Sequence, residues 1–302
     1  MNSKATAYAA AIASFVIWGF VSFCIKPLHM YASLDVLFFR LIFAASFLSV
    51  ITFAFRFKNF RTQQKVFLAL EKKQRNKTAL LTAIGGLLLA ANWFFYIYVM
   101  NNVSIKTASF AYLVCPILTA ILAGILLKEK LSTQKWLAVF LSAVSCTVLG
   151  IHSAVELIYS LVVAASYSLY LISQKKNTHL DKFVTLTFQL LFSSLVLLPF
   201  FPSYSSQIPT EISFYVTISI LASFFTIVPL YFNLVALKHI DSSTMGILLY
   251  INPILNFIIA YVYFNESTNP TQWIAYFIIL LSVIIFNWKV IQRKLQGEIK
   301  KA

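Results

Sequence analysis

Apolar residues run along this chain in long blocks, and polar residues interrupt them in short ones. Ten blocks have the length that crosses a bilayer as helix, about 20 residues. They lie at 5–25, 34–55, 79–101, 104–127, 133–151, 154–174, 183–201, 212–236, 242–264 and 271–289. Hydrophobicity inside each block is continuous and does not alternate, which argues for helices and against the strands of a membrane barrel. The pattern predicts an all-α integral membrane protein with ten transmembrane helices. No small-x-small cleavage pattern follows the first block, so it is read as a retained span and not as a leader. One long gap, 56–78, is polar and basic.

The blocks repeat. Residues 116–136 read PILTAILAGILLKEKLSTQKW and residues 253–273 read PILNFIIAYVYFNESTNPTQW. Aligned without a gap, 104–146 and 241–283 match at eleven positions, among them Pro116/Pro253, Glu129/Glu266 and Trp136/Trp273. Apolar identities arise easily in membrane sequences; Pro, Glu and Trp in fixed register do not. A fainter echo at an offset of 149 sets Lys26 against Lys175, Arg40 against Gln189 and Trp18 against Tyr167. The change of offset falls in the 56–78 gap. The expected units are 1–151 and 152–302, five spans each, within one membrane domain. Five is odd, so the second unit enters the membrane from the opposite face. Two inverted five-helix repeats are the architecture of many secondary transporters, with the substrate near the midplane between them.

Charge supports the count. The chain holds 24 Lys and Arg against 9 Asp and Glu, is 60% hydrophobic and only 11% charged. A water-soluble protein of this length carries about a quarter charged residues. Basic residues sit in tracts between apolar blocks, not along a groove or helix stripe, which sets nucleic acid aside as a partner. With ten spans, 21 of the 24 fall on the side of the N-terminus. Lys26 and Lys106 fall on the other side, and Arg40 is left inside a span. This is the asymmetry of the positive-inside rule. The expected placement is a multi-pass protein of the cell inner (plasma) membrane with both termini cytoplasmic. The three Cys, at 24, 115 and 146, match no zinc or redox spacing and read as packing residues.

Short motifs in order carry a family resemblance. They are Ile17-Trp18-Gly19; Leu34-Asp35-Val36-Leu37-Phe38-Phe39-Arg40; Asn92-Trp93 and Asn101-Asn102; Tyr112 to Pro116; Lys128-Glu129-Lys130-Leu131; Thr226 to Leu230; and Tyr250-Ile251-Asn252-Pro253. In these the chain resembles the EamA branch of the drug/metabolite transporter superfamily, and within it the RarD-like group. The resemblance covers nearly the whole chain and implies a ten-helix inner-membrane transporter or exporter of small metabolites. The chain departs from that pattern in carrying Lys128 and Asn265 where a Gly often precedes the Glu.

Candidate chemistry lies inside the spans. Arg40 is a charge about six residues into the second block, where burial in lipid costs roughly 2.5–3.5 kcal/mol. It either faces the bundle interior or snorkels to the outer surface, and reads either as an anion or carboxylate contact or a gate, or as a structural partner of a helix-end carbonyl or Asp35. Trp18, Asn92, Trp93, Tyr96, Tyr112, Tyr167, Gln189, Tyr231, Asn233, Tyr250 and Asn252 are large or polar groups at span positions. Together with Arg40 they form the expected substrate-binding set, an aromatic cavity with few charges. Pro116, Pro229 and Pro253 interrupt spans and each frees a backbone carbonyl. Matched kinks are expected at Pro116 and Pro253. Glu129 and Glu266 end spans four and nine and read as helix caps or gate residues. Ala120-x-x-x-Gly124 is a small-x-x-x-small pattern for close helix approach.

Two readings of function compete. The first is a secondary transporter; no Gly-x-x-x-x-Gly-Lys-Ser/Thr occurs, so the chain is not its own ATPase. The second is an intramembrane enzyme or a membrane scaffold. An enzyme needs a constellation in the bilayer, yet the four His (29, 152, 179, 239) are scattered near span ends, and neither His-Glu-x-x-His nor Gly-x-Ser-x-Gly occurs. No cofactor or metal is expected. The partners expected are a small-molecule substrate and the lipid bilayer, with proton or ion coupling left open and a monomer favoured over a dimer.

Overall fold

The computed structural model describes residues 4–103, 105–150, 154–201, 208–263 and 270–299. Among them there is helix and no strand. Helix α1 (Lys4–Gly19) continues through α2 (Ser22–Ile25) and a 3₁₀ turn, Lys26–Leu28. Helix α3 (Ser33–Val50) runs into a π turn at Ile51–Phe55. Then follow α4 (Phe57–Ala69), α5 (Lys72–Asn102), α6 (Ile105–Leu126) and α7 (Thr133–Gly150). The remaining helices are α8 (Ala154–Lys176), α9 (Lys182–Leu197), α10 (Ile212–Ala222), α11 (Val228–Leu237), α12 (Ser242–Leu248), α13 (Ile251–Val262) and α14 (Pro270–Ile299).

Among the described residues, five helical stretches are long and apolar enough to cross a membrane: Lys4–Leu28, Ser33–Phe55, Lys72–Asn102, Lys182–Phe200 and Ile212–Leu237. Shorter apolar helices run over Ala111–Leu126, Thr244–Asn256 and Trp273–Phe286. Burial runs opposite to that of a soluble protein. Ile125, Phe140, Ile158, Leu195, Ile212, Val262 and Phe277 are exposed, whereas Asn92, Thr119, Ser142, Ser168, Gln189 and Asn233 are fully buried. Apolar patches of this extent need an apolar surrounding, and lipid supplies it.

The packing has an internal correspondence. Helix α6 packs on α8 and α13 on α1; α5 packs on α8 and α11 on α1; α5 packs on α9 and α10 on α3; α3 packs on α5 and α9 on α11. Replacing each apolar block by the one five places along the chain turns the first member of each pair into the second. Three contacts map onto themselves: α3 with α9, α6 with α12, and α7 with α14.

Local chemistry sets the ends. Helix α9 begins at Asp181, whose Oδ1 accepts from Phe183 N (3.1 Å) and Val184 N (3.3 Å), the acceptor an N-terminus requires. Helix α6 closes in a left-handed turn: Lys128 has φ 56°, and the N–H groups of Leu127 and Glu129 both reach Ala123 O, at 3.1 and 3.2 Å. A Gly normally supplies that conformation, so Lys128 stands at a strained position. The close helix approach is not at Gly124, whose nearest neighbours would leave a methyl group room at 3.9 Å. On α6 the close approach is instead to Gly246 of α12, where a methyl would stand 2.8 Å from Thr119 and 3.3 Å from Pro116.

The 56–78 gap, expected as a polar loop, contains α4, none of whose residues is buried. Its Phe57, Phe60 and Phe67 alternate with basic residues, the pattern of a helix lying in a membrane interface. Asp181 pins it by accepting from Asn59 Nδ2 (3.5 Å), by donating its N–H to Gln63 Oε1 (2.9 Å) and by pairing with Arg56 (3.8 Å).

Candidate functional site

A cavity of about 30 Å³ lies in the middle of the bundle, lined by Trp18, Val21, Ile25, Arg40, Asn92, Trp93, Tyr96, Tyr112, Tyr167 and Asn252. That is room for one or two water molecules. Eight of these ten are residues the sequence singled out. They come from α1, α3, α5, α6, α8 and α13, so both sequence repeats contribute.

The contacts around the cavity cross between the repeats. Pro229 has no N–H to give the carbonyl of Phe225, four residues back, and Phe225 lies in the π turn Ser223–Ile227 that joins α10 to α11. Trp18 supplies the missing donor: its Nε1 reaches Phe225 O at 2.9 Å. The neighbouring Thr226 hydroxyl donates to Leu221 O (2.7 Å) and accepts from Arg40 Nε (2.8 Å). The Arg40 guanidinium also lies over the Trp93 ring, Cζ 4.1 Å from the ring centroid, in the geometry of a cation–π contact. Arg40 is 3% exposed and, among the described residues, makes no ion pair; Asp35, the partner considered from sequence, is not paired with it.

The opposite wall is held in the same way. Asn92 Nδ2 donates to Val163 O (2.9 Å) and to Ser166 Oγ (3.3 Å), and Tyr112 donates to Asn92 Oδ1 at 3.3 Å. Tyr96, Tyr112, Tyr167 and Trp18 form a connected series of tilted and edge-on rings with centroids 5.0 to 6.2 Å apart. Asn252 accepts from Asn256 Nδ2 one turn along α13.

Four other candidates are not among the residues that line this cavity. Gln189 and Asn233 are fully buried; neither atom of the Gln189 carboxamide has a protein partner among the described residues, and Asn233 lies beside the hydroxyl of Tyr167, a cavity residue. Gln189 lies against Gly85 and Gly86 of α5. Tyr250 is buried in the turn between α12 and α13, and Tyr231 is half-buried with its ring against Phe183. The helix breaks are not matched: α6 runs unbroken through Pro116, whereas the second repeat breaks at Leu249–Tyr250, ahead of Pro253. There Leu249 O, freed by Pro253, takes a 3.0 Å bond from Asn252 N. In α6 the Ser168 hydroxyl bonds Cys115 O at 3.1 Å and holds the neighbouring turn in place.

Glu129 caps a helix of the other repeat, its Oε1 accepting from Ser242 N at the start of α12 (3.1 Å). Glu266 lies outside the described residues. Beside Glu129, at the basic end of the bundle, Lys175 donates to Leu237 O and Ile240 O (2.8 and 2.9 Å), and Lys182 to Gln174 O and Asn177 O (2.7 and 2.6 Å). These cations satisfy carbonyls that helix C-termini leave open. At the far end Tyr31 donates to Glu211 Oε2 (3.0 Å). Partial desolvation, then that carboxylate, pushes its phenol above the ordinary range. Sequence reasoning weighed Thr226 only as part of a motif and did not single out Val163 and Ser166. Pro229, four residues after Phe225, was the available signal for the π-turn contacts.

An all-helical bundle with a lipid-suited exterior and a polar, aromatic cavity between two sequence repeats defines a multi-pass membrane protein of the transporter class. The chain belongs to the EamA-like transporter family, whose profile matches it twice, over residues 5–151 and 154–288. An uncharacterized transporter of Pseudomonas aeruginosa is 28% identical over 95% of each chain. An uncharacterized transporter of Bacillus subtilis is 25% identical over 97% of this chain and 96% of its own. Protein RarD of Escherichia coli is 24% identical over 91% of this chain and 92% of its own. A crystal structure with 17% sequence identity superposes over 95% of this chain and 99% of its own with a TM-score of 0.71, which places the fold.

Proposed function

We propose that the protein is a secondary transporter that moves small metabolites or drugs across the inner membrane, outward in the exporter reading, by alternating access at the central cavity. The units 1–151 and 152–302 are its two halves, each with five spans, the second inverted relative to the first, and both termini are cytoplasmic. One observation carries the reading: the cavity lies between the halves, and its walls are joined across them. Trp18 bonds Phe225 O, Arg40 bonds Thr226, and Asn92 bonds Val163 O. A movement of one half against the other changes all three contacts at once. The correspondence of packing partners supports the same reading. If the halves exchange conformations, the contacts that close one end are replaced by their counterparts at the other.

In this proposal the basic end faces the cytoplasm. There Glu129, Lys175 and Lys182 tie helix ends together and act as the inner closure. The protein works as a monomer.

The test is vectorial uptake into sealed proteoliposomes, with and without an imposed pH gradient, which also reads proton coupling. Single-cysteine tags at 128–130 and at 265–267 should label from opposite sides. Labelling from one side would sink the inverted arrangement, and equal solute movement with and without protein would sink transport.

A further inference from the structure

The cavity walls carry one formal charge. Arg40 lines the cavity, and among the described residues lining it there is no Asp or Glu. Its guanidinium has five N–H donors, and Nε is spent on Thr226. The four hydrogens on the two Nη atoms have no protein acceptor among the described residues. Leaving a buried charge unpaired is costly, and the Trp93 face offsets only part of that. Planar Nη groups presented side by side match a carboxylate, which accepts two parallel hydrogen bonds. The rest of the lining is aromatic or aliphatic, with the carboxamides of Asn92 and Asn252.

We infer that this cavity recognises a monoanionic carboxylate attached to an apolar or aromatic body, with Arg40 as the anion contact. The inference deepens the transporter reading and rests on it. A primary ammonium finds no counter-charge in this lining, so amines are rejected and amino acids gain nothing from their ammonium group. A dianionic phosphate ester finds one cation where it needs more. The present cavity of about 30 Å³ takes only the polar head, so the body enters as the two halves move apart.

The test uses the full chain in detergent and matched probes at one pH and ionic strength: phenylacetate, phenylacetamide, phenethylamine and phenyl phosphate. Phenylacetate is expected to bind at least about 10-fold more tightly than phenylacetamide, the scale of a charge-assisted bidentate contact, and more tightly than the other two. Arg40→Gln, shown monodisperse by size exclusion, should bring phenylacetate to within about 3-fold of the amide, while Arg40→Lys keeps part of the preference. Because the wild-type ranking decides, an unfolded variant does not rescue the idea. Equal or tighter binding of the amide, the amine or the phosphate overturns it, as does no binding of any probe. Flux of the same probes separates the two claims. Carboxylate preference in binding without flux refutes transport and keeps the carboxylate site; flux without preference does the reverse.

Discussion

The pairing of Trp18 with the carbonyl freed by Pro229 makes a prediction that two substitutions can check against each other. Trp18→Phe keeps an aromatic ring against Tyr167 but removes the Nε1 donor that reaches Phe225 O at 2.9 Å. That carbonyl is then buried in the π turn without its partner, a loss of about 1–3 kcal/mol in water-soluble proteins. Measured side-chain hydrogen bonds in membrane helices average nearer 0.6 kcal/mol, with a maximum near 1.7. Adding the smaller ring, we expect Trp18→Phe to destabilise by about 1.5–2.5 kcal/mol. Pro229→Ala restores an N–H four residues after Phe225, which can close the helix bond itself. The penalty of Trp18→Phe should therefore shrink by about 1 kcal/mol in the Pro229→Ala background. The assay is equilibrium unfolding in mixed dodecylmaltoside–SDS micelles, followed by far-ultraviolet circular dichroism, for all four proteins of the cycle. Additivity within about 0.3 kcal/mol would refute the claim that Trp18 stands in for the missing proline N–H.

Substitutions at three further positions test separate contacts. Lys128→Gly relieves a left-handed residue at the α6 terminus and should stabilise by about 0.5–1 kcal/mol, seen as a higher melting temperature in detergent; no change would mean the turn is unstrained. Glu129→Ala removes the acceptor for Ser242 N at the start of α12 and should cost about 1 kcal/mol, while Glu129→Gln recovers most of it. If that cap helps to close the basic end, Glu129→Ala should also speed thiol labelling of a cysteine placed at Ser242. A side chain at Gly86 would put its first carbon 2.5 Å from the carbonyl oxygen of Gln189, so Gly86→Val should prevent normal packing of α5 on α9. A monodisperse, wild-type-stable Gly86→Val protein would contradict that close approach.

What could be read from the sequence follows what the bilayer enforces. Lipid demands long apolar runs and satisfied backbone groups, so the ten apolar blocks are mostly helix where they are described, interrupted by short turns at Phe20–Val21 and Leu249–Tyr250. Pro, Glu and Trp are not required by lipid, which is why their register exposed two repeats, and the family profile likewise matches twice. Most of the cavity was legible for a related reason: polar and aromatic groups inside spans turn away from lipid, and eight of those singled out meet at the central cavity. The misses have a common cause, since residue order does not give helix rotation or local irregularity. Gln189 and Arg40 occupy matching positions, yet Arg40 lines the cavity and Gln189 faces Gly85 and Gly86. The π turn at Ile51–Phe55 leaves no simple mark on sequence, and the one at Ser223–Ile227 is marked only by Pro229 just after it. Helix α4 is hidden in the 56–78 gap because its basic charge dominates the composition there, and only the spacing of Phe57, Phe60 and Phe67 marks it as helix.

Gln189 shows how stability and function can be told apart in such a bundle. Its carboxamide is fully buried, and neither atom has a protein partner among the described residues. A leucine has similar volume and no polar atoms. Replacing an unpartnered polar group by an apolar one of the same shape is neutral or stabilising, so Gln189→Leu should leave stability unchanged or raise it by up to about 1–2 kcal/mol. If the residue serves packing alone, flux should follow stability. If it meets substrate or lines the passage in the conformation open at the basic end, flux should fall while stability holds or rises, because functional groups are retained at the expense of the resting fold. The matched position in the first half already carries a buried cation, held by Thr226 and Trp93. A more stable Gln189→Leu protein with impaired flux would make the pair Arg40 and Gln189 the polar contacts of the two ends. A Gln189→Leu protein with wild-type flux would leave Arg40 as the working member of that pair and reduce Gln189 to a relic of the duplication.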